Sequence, residues 1–185
     1  MDYLQLFDRW AALTTLSEKD RKAMVDALHT EVTTGVQAMA GLASSEMGRI
    51  LEEAAYDKRE AYITAVTPVV ALAALDGYLL CLMEQGVNPM TAGLAGQDKT
   101  KGLGEVWSQQ YQKDQNTSYL NKADQIMVLL LGKIQELRVN QALSFAPEIV
   151  NLPYKVTEKL HQYIGWAVYQ GYILGLMEKE RLQHG

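Results

Sequence analysis

Two carboxylate–histidine pairs are the residues of this sequence best spaced for chemistry. Asp26 precedes His29 by three residues, and Glu158 precedes His161 by the same spacing. Residues three apart share one face of a helix, and di-iron bundles use this spacing. Such centres need further inward-facing carboxylates, which the sequence does not identify. In a chain with 22 acidic residues and three histidines, pairs with this spacing also arise by chance. We therefore predict no metal and no other cofactor, and keep these four residues as the alternative site of a metal-dependent helical enzyme.

A second acidic group, formed by Glu53, Asp57 and Glu60, is spaced to share one face of a helix. In helical nucleotide pyrophosphohydrolases such carboxylates hold Mg²⁺ against the phosphates of the substrate. That arrangement needs facing acids from a second helix, and no counterpart is apparent. Arg49 lies four residues before Glu53, so a solvated ion-pair face also explains the pattern.

Motifs for phosphate binding and for nucleophilic catalysis are incomplete. Residues 93–100 resemble a phosphate-binding loop, but Asp98 stands where that loop needs a glycine before its lysine. Cys81 lies inside an apolar run without an adjacent histidine, and the sequence contains no G-x-S-x-G motif. The residues thus favour a protein that is not an enzyme.

Composition indicates a globular protein that does not bind nucleic acid. Of 185 residues, 48% are hydrophobic, and the formal net charge is −5, whereas nucleic-acid binders concentrate Lys and Arg. The single cysteine excludes an intrachain disulfide and favours a reducing compartment. The first residues, Met1 to Gln5, lack a basic segment and an apolar signal core. We therefore expect a cytoplasmic protein.

Hydrophobic spacing predicts an all-α fold, a bundle of about seven helices. No segment alternates with a period of two between turn residues, whereas helix-capping residues are abundant. Ser17, followed by Asp20, is spaced to cap the second helix. We expect Ser44 or Ser45 to begin a third helix and Thr67 with Pro68 to begin a fourth. The other helices are predicted over residues 2–15, 104–114, 117–144 and 153–182.

Five glycines and Pro89 between residues 86 and 104 mark one long loop. The predicted organisation is a helical half over residues 1–86, a glycine-rich loop over 87–103 and a second helical half over 104–185. We expect the two halves to form one compact domain.

Residues 61–83 are apolar over a length that could cross a bilayer and carry a single charge, Asp76. A carboxylate at mid-bilayer is costly, and Thr64, Thr67, Pro68 and Gly77 also interrupt the run. We therefore predict a buried core helix and no membrane association.

The two halves share a similar segment. Residues 76–84 (DGYLLCLME) align with residues 170–178 (QGYILGLME), and six of the nine positions are identical. Each residue lies 94 positions from its counterpart, as Gly77 does from Gly171. Duplication of a helical unit and chance similarity between leucine-rich helices both explain this match.

The glycines within these segments indicate close helix packing. Gly171 and Gly175 lie four residues apart on one helix face, as do Gly77 and Cys81. A glycine inside a helix costs up to about 1 kcal/mol relative to alanine, and close approach of a second helix is the usual compensation. We therefore expect Gly77, Gly171 and Gly175 to lie at a helix–helix contact, either in the core or against a partner.

The string from Gly171 to Glu178 resembles the last helix of short uncharacterised helical proteins of Gram-positive bacteria and their phages. In those proteins an aromatic residue after glycine precedes Leu-Gly and an apolar turn with methionine. The resemblance covers about ten residues per copy, and Cys81 replaces the second glycine in the first copy. It implies a bacterial or phage context and brings no activity with it.

Aromatic residues near the last glycines, Trp166, Tyr169 and Tyr172, are candidate interface residues because aromatics are enriched at interface cores. The sequence therefore favours a non-enzymatic helical protein–protein interaction module. Its partner would be another protein or a second copy of the chain, and a phage-borne inhibitor or regulator of a host protein fits this description.

Overall fold

The computed structural model describes residues 3–15, 17–28, 30–88, 97–114 and 117–184. None of these described residues forms a β-strand, and seven of their α-helices have ten residues or more. This confirms the predicted all-α bundle of about seven helices. The α-helices are α1 (Tyr3–Thr14), α2 (Glu18–Ala27), α3 (Thr30–Ala54), α4 (Arg59–Glu84), α5 (Gln97–Thr100), α6 (Leu103–Asp114), α7 (Thr117–Phe145) and α8 (Tyr154–His184).

Two apolar helices, α4 and α8, cross at the centre of the bundle and make its most extensive helix–helix contact. Most side chains over residues 69–83 of α4 and 164–178 of α8 are buried. These stretches are apolar around most of the helix circumference, and such a helix is stable in water only when neighbours cover all its sides. The α4–α8 crossing therefore organises the remaining helices.

The flanking helices interleave the two halves of the chain. Helix α3 packs against α4, α6 and α8, and helix α7 packs against α8, α4 and α1. The short helices α1 and α6 thus each contact the long flanking helix of the other half. The buried apolar side chains of both halves form one continuous core.

Two short 3₁₀ turns, Tyr56–Lys58 and Pro147–Asn151, lie side by side at one end of the bundle. The ammonium group of Lys58 donates a hydrogen bond to Glu148, and the Tyr62 hydroxyl donates one to the same carboxylate at 3.1 Å. These bonds tie the α3–α4 connection to the α7–α8 connection.

Helix capping at Ser17 is observed as predicted, because the backbone N–H of Asp20 donates to the Ser17 hydroxyl at 3.2 Å. The predicted boundaries at Ser44 or Ser45 and at Thr67 are wrong. Ser44 lies inside α3 and its hydroxyl meets that of Thr67 at 2.5 Å across the α3–α4 contact.

Pro68 lies inside α4 and not at its beginning. The Thr67 hydroxyl donates to the carbonyl of Ile63 at 2.7 Å, one turn earlier. Proline in a helix interior removes one backbone hydrogen bond, but the apolar neighbours of α4 favour a continuous helix. Burial of the surrounding residues therefore overrides a strong local stop signal.

Only part of the predicted glycine-rich loop lies in the described residues, since positions 89–96 are outside them. Residues 97–100 form the short helix α5, and Thr100 is buried. The guanidinium of Arg181 on α8 donates to the carbonyl of Lys101 at 2.6 Å. The end of this segment is therefore helical and attached to α8.

In the described part of the chain, one helical segment, Tyr56–Glu84, which joins the first 3₁₀ turn to α4, is long and apolar enough by length and composition to cross a membrane. Within its most apolar window, 72% of the residues are buried inside the fold. In this structure the helix is the centre of the bundle.

Candidate functional site

The crossing of α4 and α8 brings the two backbones into direct contact at two glycines. A methyl group added to Gly77 would lie 1.8 Å from the carbonyl oxygen of Val168, and one added to Gly171 would lie 1.7 Å from the carbonyl oxygen of Ala74. Side-chain rotation cannot relieve such a contact, because the neighbouring atoms belong to the backbone. Both positions therefore require glycine for the helices to cross at this distance.

Gly175 faces Cys81 at the same crossing. A methyl group on Gly175 would lie 2.7 Å from Cβ and 2.8 Å from Sγ of Cys81. The thiol is buried, which raises its pKa, and it accepts a hydrogen bond from the Gln85 amide at 3.0 Å. A buried, protonated thiol is a poor nucleophile, so Cys81 has a packing role.

The contacts around the crossing occur in pairs. The Tyr78 hydroxyl donates to Glu178 at 2.5 Å, and the Tyr172 hydroxyl donates to Glu84. Tyr78 and Tyr172 are 94 residues apart, as are Glu84 and Glu178. Each tyrosine therefore donates to the glutamate of the other helix, and these contacts relate α4 and α8 by an approximate two-fold axis.

The tryptophans of the short helices repeat this relation. The Trp10 indole donates to Asp76 on α4 at 3.1 Å, and the Trp107 indole donates to Gln170 on α8 at 3.1 Å. Asp76 and Gln170 are also 94 residues apart, and the two tryptophans are 97 apart. The packing of helix α1 against α4 thus corresponds to the packing of helix α6 against α8.

The two equivalent surroundings differ in their chemistry. Beside Trp10, the guanidinium of Arg138 on α7 binds both carboxylate oxygens of Asp76, at 2.6 and 2.8 Å, and both side chains are over 90% buried. This site, here called the Trp10 site, encloses only about 30 Å³. Its lining consists of Trp10, Leu13, Thr14, Leu72, Leu75, Asp76, Leu79 and Arg138.

Near Trp107 the cavity is much larger. Helices α3, α6 and α8 leave a groove of about 540 Å³, here called the aromatic groove. Trp166 stands where the Trp10 site has Leu72, and Tyr111 stands where that site has Thr14, by the same shifts of 94 and 97 residues. The groove is lined by Leu42, Ala43, Ser45, Glu46, Tyr111, Gln162, Tyr163 and Trp166.

Three rings form one wall of the aromatic groove and the floor beneath it. Trp107 is buried and stacks on Tyr111 with ring centroids 5.4 Å apart. Trp166 meets Tyr111 edge-to-face at 5.5 Å and Trp107 at 6.4 Å. Edge-to-face contacts stabilise the relative orientation of the rings in this wall.

Glu46 on α3 supplies the ionisable acid of the groove. The Tyr163 hydroxyl donates to its Oε2 atom at 3.4 Å, and the exposed Arg49 donates to the same atom at 2.8 Å. Burial raises the pKa of Tyr163, and the Glu46 charge raises it further, so the hydroxyl remains a donor. Within the described residues, the Oε1 atom of Glu46 accepts no hydrogen bond.

Trp166 differs from the other two tryptophans in its hydrogen bonding. The N–H groups of Trp10 and Trp107 each donate to a buried acceptor. The N–H group of Trp166 has no acceptor among the described residues. In the same part of the chain, the hydroxyl of Tyr111 also has none. The residues that line the groove therefore carry both donors and an acceptor without a partner among the described residues.

The structure separates the interface residues predicted from the sequence. Trp166 lines the groove, whereas Tyr172 is buried beside the glycine crossing and Tyr169 packs against the core. Sequence reasoning did not identify Glu46 and Tyr111 as site residues. They lie on other helices than Trp166, and no local spacing signals that three helices meet there.

The alternative metal residues are only partly brought together. Glu158 and His161 are exposed on α8 and line a shallow groove of about 440 Å³ with Val150 and Tyr154. Nδ1 of His161 lies 2.9 Å from the carbonyl of Thr157. Asp26 is exposed on α2, and His29 lies outside the described residues. Across the residues that the structure describes, no three potential ligands cluster around one point.

The predicted acidic helix face does not exist, because α3 ends at Ala54 and the chain bends there. Glu53 ends up on α3, Asp57 in the 3₁₀ turn and Glu60 on α4. Glu53 instead accepts a hydrogen bond from Lys155 on α8 at 2.9 Å, which lowers the pKa of this carboxyl.

No protein-family model, curated protein or solved structure matches this chain. Its function therefore has to be inferred from the aromatic groove itself.

Proposed function

We propose that this protein is a non-enzymatic helical protein–protein interaction module that binds a segment of its partner in the aromatic groove. The supporting observation is the groove's composition: two tyrosines, a tryptophan and an exposed leucine line an open surface on three helices. Aromatic residues are enriched where interfaces concentrate their binding energy.

Comparison with the Trp10 site strengthens this proposal. Leucines and a buried ion pair surround the Trp10 indole and leave only a small cavity there, so packing beside such a tryptophan does not require a large groove. Partly exposed aromatic side chains in this position contribute less to stability than fully buried ones would. Partner binding explains why they are present.

A bacterial or phage cytoplasm is the proposed setting, and an inhibitor or regulator of a host protein is the proposed role. This part of the proposal rests on the resemblance of residues 171–178 to small bacterial and phage proteins. Its non-enzymatic character rests on the incomplete phosphate-binding and nucleophile motifs of the sequence. The protein would act without a cofactor and without crossing a membrane.

Affinity capture with matched variants tests the groove. The immobilised protein, its Trp166→Ala variant and its Tyr154→Ala variant are incubated with lysate of a Gram-positive bacterium. Tyr154 is the control because it is an exposed aromatic residue in the α7–α8 groove, away from the site. We expect a partner that Trp166→Ala loses and Tyr154→Ala retains, with both variants folded. Equal retention by all three proteins would contradict the proposal.

We also propose that the two halves descend from one helical unit by duplication. Five contacts support this: the glycine pair, the tyrosine–glutamate pair, the tryptophan pair, the facing residues 81 and 175, and the interleaved flanking helices. Chance similarity of leucine-rich helices would match sequences without also matching contacts around one axis.

A half-length protein tests the duplication. Residues 1–88 with Cys81→Gly place glycine on the two-fold axis, where the intact chain has Cys81 against Gly175. We expect this half to form a helical dimer in analytical ultracentrifugation, and addition of Gly77→Leu to abolish it. An unfolded monomer, or a dimer that tolerates Gly77→Leu, would count against duplication.

A further inference from the structure

We infer that the aromatic groove recognises an arginine side chain presented by an extended segment of a protein partner. This inference rests on the proposed function and specifies the chemistry of the bound segment. It follows from three features of the groove: one available carboxylate oxygen, three rings beside it, and hydrogen-bond donors that lack acceptors among the described residues.

The carboxylate of Glu46 is the first feature. It is the ionisable acid in the lining, its side chain is about half exposed, and its Oε1 atom accepts no hydrogen bond from the described residues. Its partner Arg49 is 75% exposed, and ion pairs this exposed contribute little to stability. A second guanidinium can therefore bind Oε1 or displace Arg49 at small cost.

The rings are the second feature. Tyr163 and Trp166 lie on α8 one turn apart, and Tyr163 contacts Glu46 directly. A cation held by Glu46 is thus within reach of aromatic faces, which attract cations through their quadrupole. Arginine suits this environment better than lysine because its planar guanidinium stacks on rings and binds carboxylate with two donors.

The donors are the third feature. The Trp166 indole N–H and the Tyr111 hydroxyl have no acceptor in the part of the chain that the structure describes. Backbone carbonyl groups of an extended segment supply acceptors, and a groove of about 540 Å³ accommodates several residues. A net charge of −5 further favours a basic segment over an acidic one.

Small probes test this inference directly. Nα-acetylarginine amide is titrated into ¹⁵N-labelled protein, with Nα-acetylcitrulline amide as the uncharged control of nearly equal shape. The three indole N–H signals are assigned with single Trp→Phe variants. We expect the Trp166 signal to shift, whereas that of Trp10 stays in place because this indole is hydrogen-bonded to Asp76 and lies away from the groove.

Two glutamate variants show whether the preference for arginine over citrulline depends on the charge of Glu46. The arginine amide should bind about fivefold more tightly than the citrulline compound, and Glu46→Gln should remove most of that preference. The amide oxygen that this substitution introduces can still accept the Tyr163 hydrogen bond, so the local structure is preserved. Glu148→Gln, in the 3₁₀ turn after α7, should leave the preference unchanged.

Two results would overturn the inference: equal binding of the two probes, or no shift of the Trp166 signal when the probe greatly exceeds the protein. These outcomes are separable from failure of the proposed function. A partner that is lost with Trp166→Ala but retained with Glu46→Gln supports the module and rejects arginine recognition. A partner retained by both variants rejects the proposed function itself.

Discussion

The Trp10 site and the aromatic groove lie beside the two paired tryptophans and share two equivalent lining positions, Leu72 with Trp166 and Thr14 with Tyr111, yet they differ greatly in volume. In both, a tryptophan on a short helix donates to a residue of a central helix. At the Trp10 site that residue is Asp76, and Arg138 neutralises it inside the core. At the groove it is the neutral Gln170, and rings take the place of smaller side chains.

This difference shows how one framework can carry two kinds of surface. An acceptor for the tryptophan is present on both sides, so we assign it to the framework. The residues around it differ, and the cavity volume is about 30 Å³ on one side and about 540 Å³ on the other. Matched variants on the two sides can separate the framework contribution from the surface contribution.

The largest effect should follow from Arg138→Ala. This variant leaves the Asp76 carboxylate buried without its cation, which costs about 3–5 kcal/mol. The matched change beside the groove, Gln170→Ala, removes the acceptor of the buried Trp107 N–H without leaving a buried charge, and should cost about 1–3 kcal/mol. Urea unfolding followed by circular dichroism measures both.

A double variant sharpens this result. Asp76→Asn with Arg138→Met removes both charges but keeps an acceptor for Trp10, and should recover most of the lost stability. If Arg138→Ala lowers the free energy of unfolding no more than Gln170→Ala does, the buried ion pair does not make the Trp10 side more sensitive than the groove side.

Alanine substitution at either glycine of the crossing should destabilise the protein by a similar amount. Gly77→Ala and Gly171→Ala should each cost about 3 kcal/mol, the upper end for overpacked cores, because each methyl group meets a backbone carbonyl. Gly132→Ala is the control, since a methyl group there meets no atom within 4 Å. It should raise stability by up to about 1 kcal/mol, as expected for a helix interior. A large difference between the two crossing variants would argue against the two-fold relation.

Substitution of a groove residue should change the free energy of unfolding only slightly. Trp166→Leu introduces the residue type of the Trp10 site and loses the edge-to-face contacts, which are worth about 0.5–1.5 kcal/mol. Thermal unfolding should therefore change little while binding of the partner segment is lost. A cost near that of the glycine variants would mean that Trp166 belongs to the framework.

The smallest effect concerns the turns at the end of the bundle. The Lys58 hydrogen bond holds the pKa of Glu148 below its ordinary value of 4.5, so this link stabilises the fold above that pH and is lost as the pH falls through the lowered value. Glu148→Gln should slightly lower the melting temperature at neutral pH. At strongly acidic pH the variant and the unchanged protein should have the same melting temperature. A difference that persists there would mean that the charge of Glu148 is not responsible.

Much of the fold was predictable because it depends on local patterns. Capping at Ser17 and the helices over 104–114, 117–144 and 153–182 follow from spacing within each segment, and the structure places helices close to these ranges. The predicted breaks at Ser44 and Thr67 failed because those residues bond to each other across two helices. A local signal cannot reveal a partner that is 23 residues away.

The candidate site was less predictable for the same reason. Trp166 was selected from its place near the repeated glycines, but Glu46 and Tyr111 join it only because α3, α6 and α8 meet. Tyr172 was selected with it, although its ring is buried by the crossing. The sequence shows which residues are aromatic, whereas the packing of three helices decides which of them remain accessible.

The position of α4 and α8 in the chain has a consequence for biosynthesis. Gly77 leaves the ribosome 94 residues before Gly171, which at about 5–20 residues per second is a delay of about 5–20 s. Throughout that interval the most apolar helix of the protein lacks the helix with which it makes its most extensive contact. During this time it presents a segment long enough to be mistaken for a membrane span. Newly made chains should therefore depend on a chaperone that shields α4 until α8 has been synthesised.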